Sequence, residues 1–190
     1  MAGEIVVVGT SRGGLKASQV LLLGLEPNFP APVIIVQHRG KDESSLCDYL
    51  KRTSPLPVSE PEDKELILPG HVYLAPRDYH LLIEGSGFAL SIDAPVAYAR
   101  PSIDVLFESA VDQYKDRTIG VILTGVNSDG ANGLAAIKAH GGLTLVEDPA
   151  TAAHRQMPEA AIARTTPDWI LPLNQIAGRL NSLCGTVAVH

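Results

Sequence analysis

The stretch Ile5-Val6-Val7-Val8-Gly9-Thr10-Ser11-Arg12-Gly13-Gly14 decides the fold and gives the first indication of chemistry. Its first four residues are β-branched, which favours a strand, and a helical pattern begins after the paired glycines. Gly9, Ser11 and Gly13 form a G-x-S-x-G turn, in which small flanking residues let strand and helix approach closely. Such a turn holds a hydroxyl beside the free N–H groups of the following helix, which can stabilise developing negative charge. The stretch therefore predicts that Ser11 is a nucleophile.

Composition limits the kind of molecule that carries this turn. The chain has 190 residues, 45% of them hydrophobic, which predicts a single domain over residues 1–190 with its own core. The net charge of -6 disfavours nucleic-acid binding, since phosphate backbones would be repelled. Cys47 and Cys184 lack the C-x-x-C spacing of a thiolate metal site, so buried thiols are expected. The sequence contains neither a recognisable secretion signal nor a long apolar segment, and this predicts a cytoplasmic protein without direct membrane insertion.

Short apolar runs alternate with segments of helical period, which is typical of parallel strands joined by crossover helices. Strands are predicted at Ile5–Val8, Val33–Val36, Ile119–Leu123, Leu143–Val146 and Trp169–Leu171. Helices are predicted at residues 14–23, 44–52, 101–114, 131–140, 158–164 and 173–183. Between Leu66 and Ile92, apolar runs at 72–75, 81–83 and 88–90 are separated by turn residues, which predicts an antiparallel insertion. The predicted fold class is α/β: a doubly wound, mostly parallel sheet flanked by helices, with an antiparallel β-hairpin insertion at one edge.

Two further residues follow predicted strands and suit the chemistry of a serine nucleophile. His38 comes directly after the second strand, and Asp129 lies beyond the strand at residues 119–123. In an open parallel sheet, reactive groups collect beyond the carboxyl ends of neighbouring strands, so His38 is a candidate general base and Asp129 its orienting carboxylate. Taken alone, His38 also fits a polar residue closing a strand, and Asp129 fits a turn or the N-cap of the helix at 131–140. The presence of Ser11, His38 and Asp129 at three strand ends favours a hydrolase.

The chain order serine, histidine, aspartate differs from that of the α/β-hydrolases and from the two familiar protease orders. Several further blocks accompany it: Gly9–Gly14, Val36-Gln37-His38, Leu68–Pro76 with His80, Arg100–Phe107, Gly120–Gly125, Asp129-Gly130-Ala131, and Met157-Pro158 with Ala160-Ala161. In this order, across almost the whole chain, the blocks resemble the CheB-type protein-glutamate methylesterases of bacterial chemotaxis.

The resemblance implies a serine hydrolase that demethylates glutamate methyl esters on methyl-accepting chemotaxis receptors through an acyl-enzyme, and can deamidate receptor glutamines. It assigns Ser11 as nucleophile, His38 as general base and acid, and Asp129 as orienting carboxylate. The backbone N–H groups of Arg12 and Val126 are the implied oxyanion donors. No metal or organic cofactor is expected, and the implied partners are methylated cytoplasmic helices of chemoreceptors.

Some positions depart from the family pattern. Arg12 stands where a threonine is common, Val126 replaces a methionine, and Asn127-Ser128 replaces the usual Gly-Asn. Family members usually carry an N-terminal receiver domain, whereas this chain begins at the catalytic strand, so no receiver domain is expected. Arg12 and Arg39 each follow a predicted catalytic residue, so they either favour acidic surroundings in the cleft or are solvated surface charges.

Other functions fit the sequence less well. A catalytically weak or inactive CheB-like protein that only binds receptors is disfavoured by the presence of all three triad residues. A nucleotide-binding module is suggested by Gly9-x-Ser11-x-x-Gly14, but a serine stands at the middle glycine position and Gln37-His38 stands where a ribose-binding acid belongs. A metal site built from His71, His80 or His154 lacks close ligand spacing.

Overall fold

A seven-stranded parallel sheet forms the centre of the protein. The structure is a computed structural model that describes residues 3–38 and 46–185. The strands are β1 (Ile5–Thr10), β2 (Val33–Gln37), β3 (Val58–Ser59), β4 (Val72–Leu74), β5 (His80–Glu84), β6 (Gly87–Ser91), β7 (Thr118–Ile122), β8 (Leu143–Glu147) and β9 (Trp169–Leu171). The sheet order is β3-β4-β2-β1-β7-β8-β9, and β5 and β6 pair separately as an antiparallel hairpin. Since the chain moves outward on both sides of β1, the winding reverses beside this strand.

Helices cover both faces of the sheet, which explains why its strands are nearly continuous apolar runs. They are α1 (Gly14–Leu23), α2 (Leu46–Thr53), α3 (Ile103–Tyr114), α4 (Ala131–Ala139), α5 (Gln156–Arg164) and α6 (Leu173–Cys184), with a 3₁₀ turn at Lys115–Arg117. Val6 and Val8 face a core shared with α1, α2 and α6, whereas Ile5 and Val7 face the hairpin and α3 to α5. Within residues 3–38 and 46–185, no helix is long and apolar enough to cross a membrane.

The predicted α/β fold class is confirmed. The structure differs from the prediction in the region of the antiparallel hairpin. The run at 72–75, predicted as part of the antiparallel insertion, contains β4 of the main sheet, which pairs in parallel with β2. All of Val72–Leu74 is buried, and a short apolar run of this kind has the same sequence pattern in either setting. The hairpin packs against α3, where Ile83 N donates to Ser109 Oγ at 3.0 Å.

The predicted helix at 44–52 corresponds to α2, but residues 44–45 and Arg39 lie outside the described residues. The two-residue strand β3 was not predicted from the sequence; it pairs in parallel with β4 at the end of the sheet order. A strand this short gives no periodic signal in sequence.

Glycine at position 9 lets β1 pack directly beneath α3. A Cβ added at Gly9 would lie 2.4 Å from Ile103 Cγ2 and 3.1 Å from Ile122 Cδ1, whereas one at exposed Gly178 of α6 would meet nothing within 4 Å. We expect Gly9→Ala to lower the free energy of unfolding by about 1–3 kcal/mol through overpacking. Gly178→Ala should raise it by about 0.5–1 kcal/mol because alanine is the better helix former. Urea unfolding measures both values, and a neutral Gly9→Ala would contradict the close approach.

Candidate active site

The structure brings the three predicted site residues to one edge of the sheet. Ser11 directly follows β1, His38 directly follows β2, and Asp129 lies in the loop between β7 and α4. Because β1 lies between β2 and β7, the three side chains come from the carboxyl ends of adjacent parallel strands. This edge is also where the winding reverses, the position at which open α/β sheets form their crevice.

His38 and Asp129 are joined by a direct hydrogen bond. His38 Nε2 lies 2.8 Å from Asp129 Oδ2, and the imidazole is 16% exposed whereas the carboxylate is 2% exposed. The other ring nitrogen, Nδ1, lies 3.0 Å from Asn127 Nδ2, a group that can only donate. The hydrogen-bond network therefore assigns the neutral tautomer with the proton on Nε2 and the lone pair on Nδ1.

Asp129 is held at the amino end of α3. Its carboxylate accepts hydrogen bonds from Ser102 Oγ at 2.9 Å, Ile103 N at 2.7 Å and Asp104 N at 3.0 Å, in addition to His38. Burial alone would raise the Asp129 pKa, but the hydrogen bonds from His38, Ile103 and Asp104 outweigh it and the pKa is lowered. The group therefore stays ionised, as an orienting carboxylate must.

The alternative role of Asp129 as N-cap of α4 is wrong. Gly130 is the N-cap of α4, in a left-handed conformation with φ of 95°, where a Cβ would lie 2.6 Å from Ile103 Cγ2. The first turn of α4 is instead capped from α3, since Gly133 N donates to Asp104 Oδ1 at 2.7 Å. Asp129 and Asp104 thus cap two different helices from positions that sequence proximity does not indicate.

Ser11 is held by contacts between the start of α1 and the end of β7. Its backbone N–H donates to Thr124 O at 3.0 Å, and Thr124 Oγ1 donates to Arg12 O at 3.0 Å. Ser11 is only 9% exposed. Among the described residues its Oγ has one side-chain hydrogen bond, accepted from Asn127 Nδ2 at 3.4 Å, and none to His38.

The two predicted oxyanion donors lie at the same place. Within the part of the chain that the structure describes, the backbone N–H groups of Arg12 and Val126 donate no hydrogen bond. Both residues line a cleft with Ser11. They are therefore free to bind an oxygen near the serine, and their role remains a prediction.

Clefts open on both sides of Ser11. One, of about 580 Å³, runs along α1 and is lined by Arg12, Leu15 and Lys16 among others. The other, of about 530 Å³, is bordered by Tyr98 and by Arg100. Because Ser11 and His38 line both clefts, a polypeptide could extend past the hydroxyl in two directions.

Sequence reasoning missed four residues of the site: Ser102, Thr124, Asn127 and Glu147. Ser102 precedes a strongly periodic helix, so its N-cap preference was a usable signal. Asn127 was noticed only as a departure from the family pattern. Thr124 lies in the block Gly120–Gly125, which assigns it no role, and Glu147 ends β8 without a distinguishing motif; only the fold brings them together.

Glu147 supports the serine turn indirectly, through a hydrogen bond from Thr124. Its side chain is buried, and Oε2 accepts a hydrogen bond from Thr124 N at 2.8 Å. Burial raises the Glu147 pKa, and the Thr124 hydrogen bond offsets this only in part. The end of β8, which is linked to the serine turn through Thr124, therefore contains a carboxyl group whose charged form is destabilised by burial.

We expect Glu147→Gln to be more stable than the wild type at pH 7, because the amide keeps an oxygen for Thr124 N and carries no charge. A raised folded-state pKa means that protonation favours folding, so the wild type recovers this stability as pH falls. The difference should vanish below about pH 4, where the carboxyl group is protonated in both states. Thermal unfolding from about pH 3 to 7 measures it, with exposed Glu26→Gln as control. Lower stability of Glu147→Gln at pH 7 would contradict the prediction.

A serine at a strand-to-helix turn, beside an imidazole bonded to an ionised carboxylate, is the arrangement that defines the serine hydrolase class of sites. Similarity to known proteins identifies the family within this class. The chain matches the CheB methylesterase family over residues 6–180, and it belongs to this family. The fold agrees with the crystal structure of the Thermotoga maritima CheB methylesterase catalytic domain, with a TM-score of 0.91 and 37% identity, covering 96% of this chain and 100% of that one.

Curated relatives carry matching names. A Thermotoga maritima protein named protein-glutamate methylesterase/protein-glutamine glutaminase is 37% identical over 188 residues, which cover 96% of this chain and 55% of that protein. An Anaeromyxobacter dehalogenans protein named protein-glutamate methylesterase/protein-glutamine glutaminase 2 is 42% identical, over 95% of this chain and 53% of that protein. A Leptospira interrogans relative is 47% identical, over 92% of this chain and 91% of that protein. The chain thus spans about half of some relatives and nearly all of another.

Proposed function

We propose that this protein is a serine hydrolase that removes methyl groups from glutamate methyl esters of chemotaxis receptors and can also deamidate glutamines there. The observation that carries the proposal is the 2.8 Å hydrogen bond between His38 Nε2 and Asp129 Oδ2, one strand away from Ser11. Family membership and the names of the relatives supply the substrate class. The partners would be the methylated cytoplasmic helices of those receptors.

The proposed reaction proceeds in two acyl-transfer steps. Ser11 Oγ attacks the ester carbonyl and gives its proton to His38 Nδ1, while Asp129 stabilises the resulting imidazolium. The backbone N–H groups of Arg12 and Val126 bind the oxyanion. The imidazolium returns the proton to methoxide, and methanol leaves. Water, deprotonated by His38, then attacks the acyl-enzyme; the imidazolium returns that proton to Ser11 Oγ as it leaves, and the glutamic acid product loses its proton to solvent. With glutamine as substrate, ammonia leaves instead of methanol.

Methanol release from a methylated receptor fragment tests the proposal. Ser11→Ala should abolish enzymatic release, and Asp129→Asn should lower kcat by about 10³–10⁴-fold, because the imidazole loses the partner that fixes its tautomer. The control is Ser128→Ala, which removes the hydroxyl of an exposed serine three residues after Gly125 and should release methanol at the wild-type rate. Release by Ser11→Ala equal to the wild type would refute a Ser11 nucleophile. Fragment binding by the wild type without any release would instead favour a receptor-binding protein.

Charge along the α1 side of the site suits an acidic substrate. Arg12 and Lys16 are exposed and line the cleft of about 580 Å³. Lys16 Nζ donates to Gln19 Oε1 at 3.2 Å, a neutral partner, so among the described residues this hydrogen bond does not offset its charge. A receptor segment rich in glutamate would be attracted to this side of Ser11.

We expect Lys16→Glu to raise KM for a glutamate-rich methylated peptide by about 2- to 5-fold at low ionic strength, with KM for a small neutral ester unchanged. The effect should shrink in 0.5 M salt because screening shortens the range of the attraction. Lys115→Glu makes the same charge change beside the amino end of β7 and serves as the control. Equal KM changes for peptide and neutral ester would contradict electrostatic recognition.

A further inference from the structure

The carboxamide of Asn127 contacts both the predicted nucleophile and the predicted base. Its Nδ2 lies 3.0 Å from His38 Nδ1 and 3.4 Å from Ser11 Oγ. Its Oδ1 accepts a hydrogen bond from Asp129 N at 3.0 Å. That bond fixes which end of the amide faces which group, because a backbone N–H requires the oxygen. The two N–H bonds of Nδ2 are therefore available to His38 and Ser11.

The hydrogen bond from Asn127 to His38 excludes a hydrogen bond from Ser11 to the same nitrogen. A neutral imidazole has one lone pair in the ring plane, and here it lies on Nδ1, since Nε2 donates to Asp129. A lone pair that accepts from Asn127 cannot also accept from Ser11. In agreement, Ser11 Oγ has no hydrogen bond to His38 among the described residues, and its only side-chain contact of this kind is the long one to Asn127.

Asn127 is placed where an incoming substrate would meet it. The residue is exposed, and it lines the cleft of about 530 Å³ together with Ser11 and His38. Because this side chain is not packed into a core, moving it breaks a few hydrogen bonds and creates no cavity. A polypeptide that enters the cleft can therefore displace the carboxamide.

We propose that Asn127 is a positioning residue that competes with Ser11 for the lone pair of His38 and so lowers the reactivity of Ser11 in the unliganded protein. When substrate displaces the carboxamide, Ser11 donates its hydrogen bond to His38 Nδ1 and can transfer its proton as it attacks. The inference rests on the proposed function, in that Ser11 and His38 must react as nucleophile and base. It adds a resting state in which they are held apart.

The reactivity of Ser11 toward a small neutral sulfonyl fluoride tests the inference without a receptor substrate. In that reaction the Oγ–S bond forms, the S–F bond breaks, fluoride leaves, and the serine proton goes to His38. We expect Asn127→Gly and Asn127→Ala to react about 3- to 10-fold faster than the wild type, the range for removing one competing hydrogen bond. Ser128→Gly loosens the same loop without touching the contact, and should react at the wild-type rate.

Three outcomes of the sulfonylation experiment would overturn the inference. Unchanged rates in both Asn127 variants would show that the contact does not restrain Ser11. A fall of about 10²–10³-fold would show that Asn127 stabilises the oxyanion instead. Equal acceleration in Ser128→Gly would assign the effect to loop flexibility.

A spectroscopic measurement tests the contact even if the protein lacks esterase activity. The ¹⁵N resonance of His38 Nδ1 should change in Asn127→Ala, which loses the donor, and stay at its wild-type position in Ser11→Ala. The Nε2 resonance should stay unchanged in Asn127→Ala, because its bond to Asp129 remains. The reverse pattern, with Nδ1 sensitive to Ser11 and not to Asn127, would overturn the proposal. Failure of methanol release with the expected ¹⁵N pattern would instead count against the proposed function alone.

Discussion

The buried carboxylate of Asp129 is the group on which both fold and site depend. A buried charge is stable only when hydrogen bonds replace the water that it loses. Here Ser102, Ile103 and Asp104 supply three donors from the start of α3, and His38 supplies the fourth. This one carboxylate therefore joins three parts of the fold: the loop after β7, the start of α3 and the end of β2. The same contacts that keep α3 in place also keep the carboxylate ionised and the imidazole oriented.

The amino-acid sequence was sufficient to predict five of the seven strands of the sheet and the convergence of residues 11, 38 and 129, because both depend on local patterns and on one topological rule. β-Branched runs predict buried strands, and parallel strands bring their carboxyl ends to a common edge, so residues following β1, β2 and β7 had to lie near each other. The placement of β4 was not predictable in this way, because a three-residue apolar run fits a hairpin or a parallel sheet equally well. The capping of α3 by Asp129 was also not predictable, since the start of α3 lies some 25 residues earlier in the chain and only tertiary packing brings the two together.

The support of Ser11 shows a second limit of sequence reasoning. Thr124 joins Ser11, Arg12 and Glu147 through its carbonyl, hydroxyl and N–H groups. None of these bonds is implied by a motif, because each joins residues from different strands. They hold the turn at the end of β1 in place, as the proposed role of Ser11 requires, because acyl transfer depends on small distances. Burial of the Glu147 carboxylate is thus unfavourable, but its hydrogen bond to Thr124 helps to hold the turn.

If Asn127 restrains Ser11, the enzyme would favour substrates whose binding energy can displace the Asn127 carboxamide. A hydrogen bond at an exposed site contributes about 0.5–1.5 kcal/mol, so it lowers the reactive fraction of the protein only several-fold. A small ester that touches Ser11 alone gains little binding energy with which to break it. A polypeptide that fills the clefts of about 580 and 530 Å³ gains much more, and part of that energy can displace the carboxamide. The substitution of asparagine for the glycine usual in the family pattern would then make the proton transfer from Ser11 to His38 depend on contacts remote from the ester.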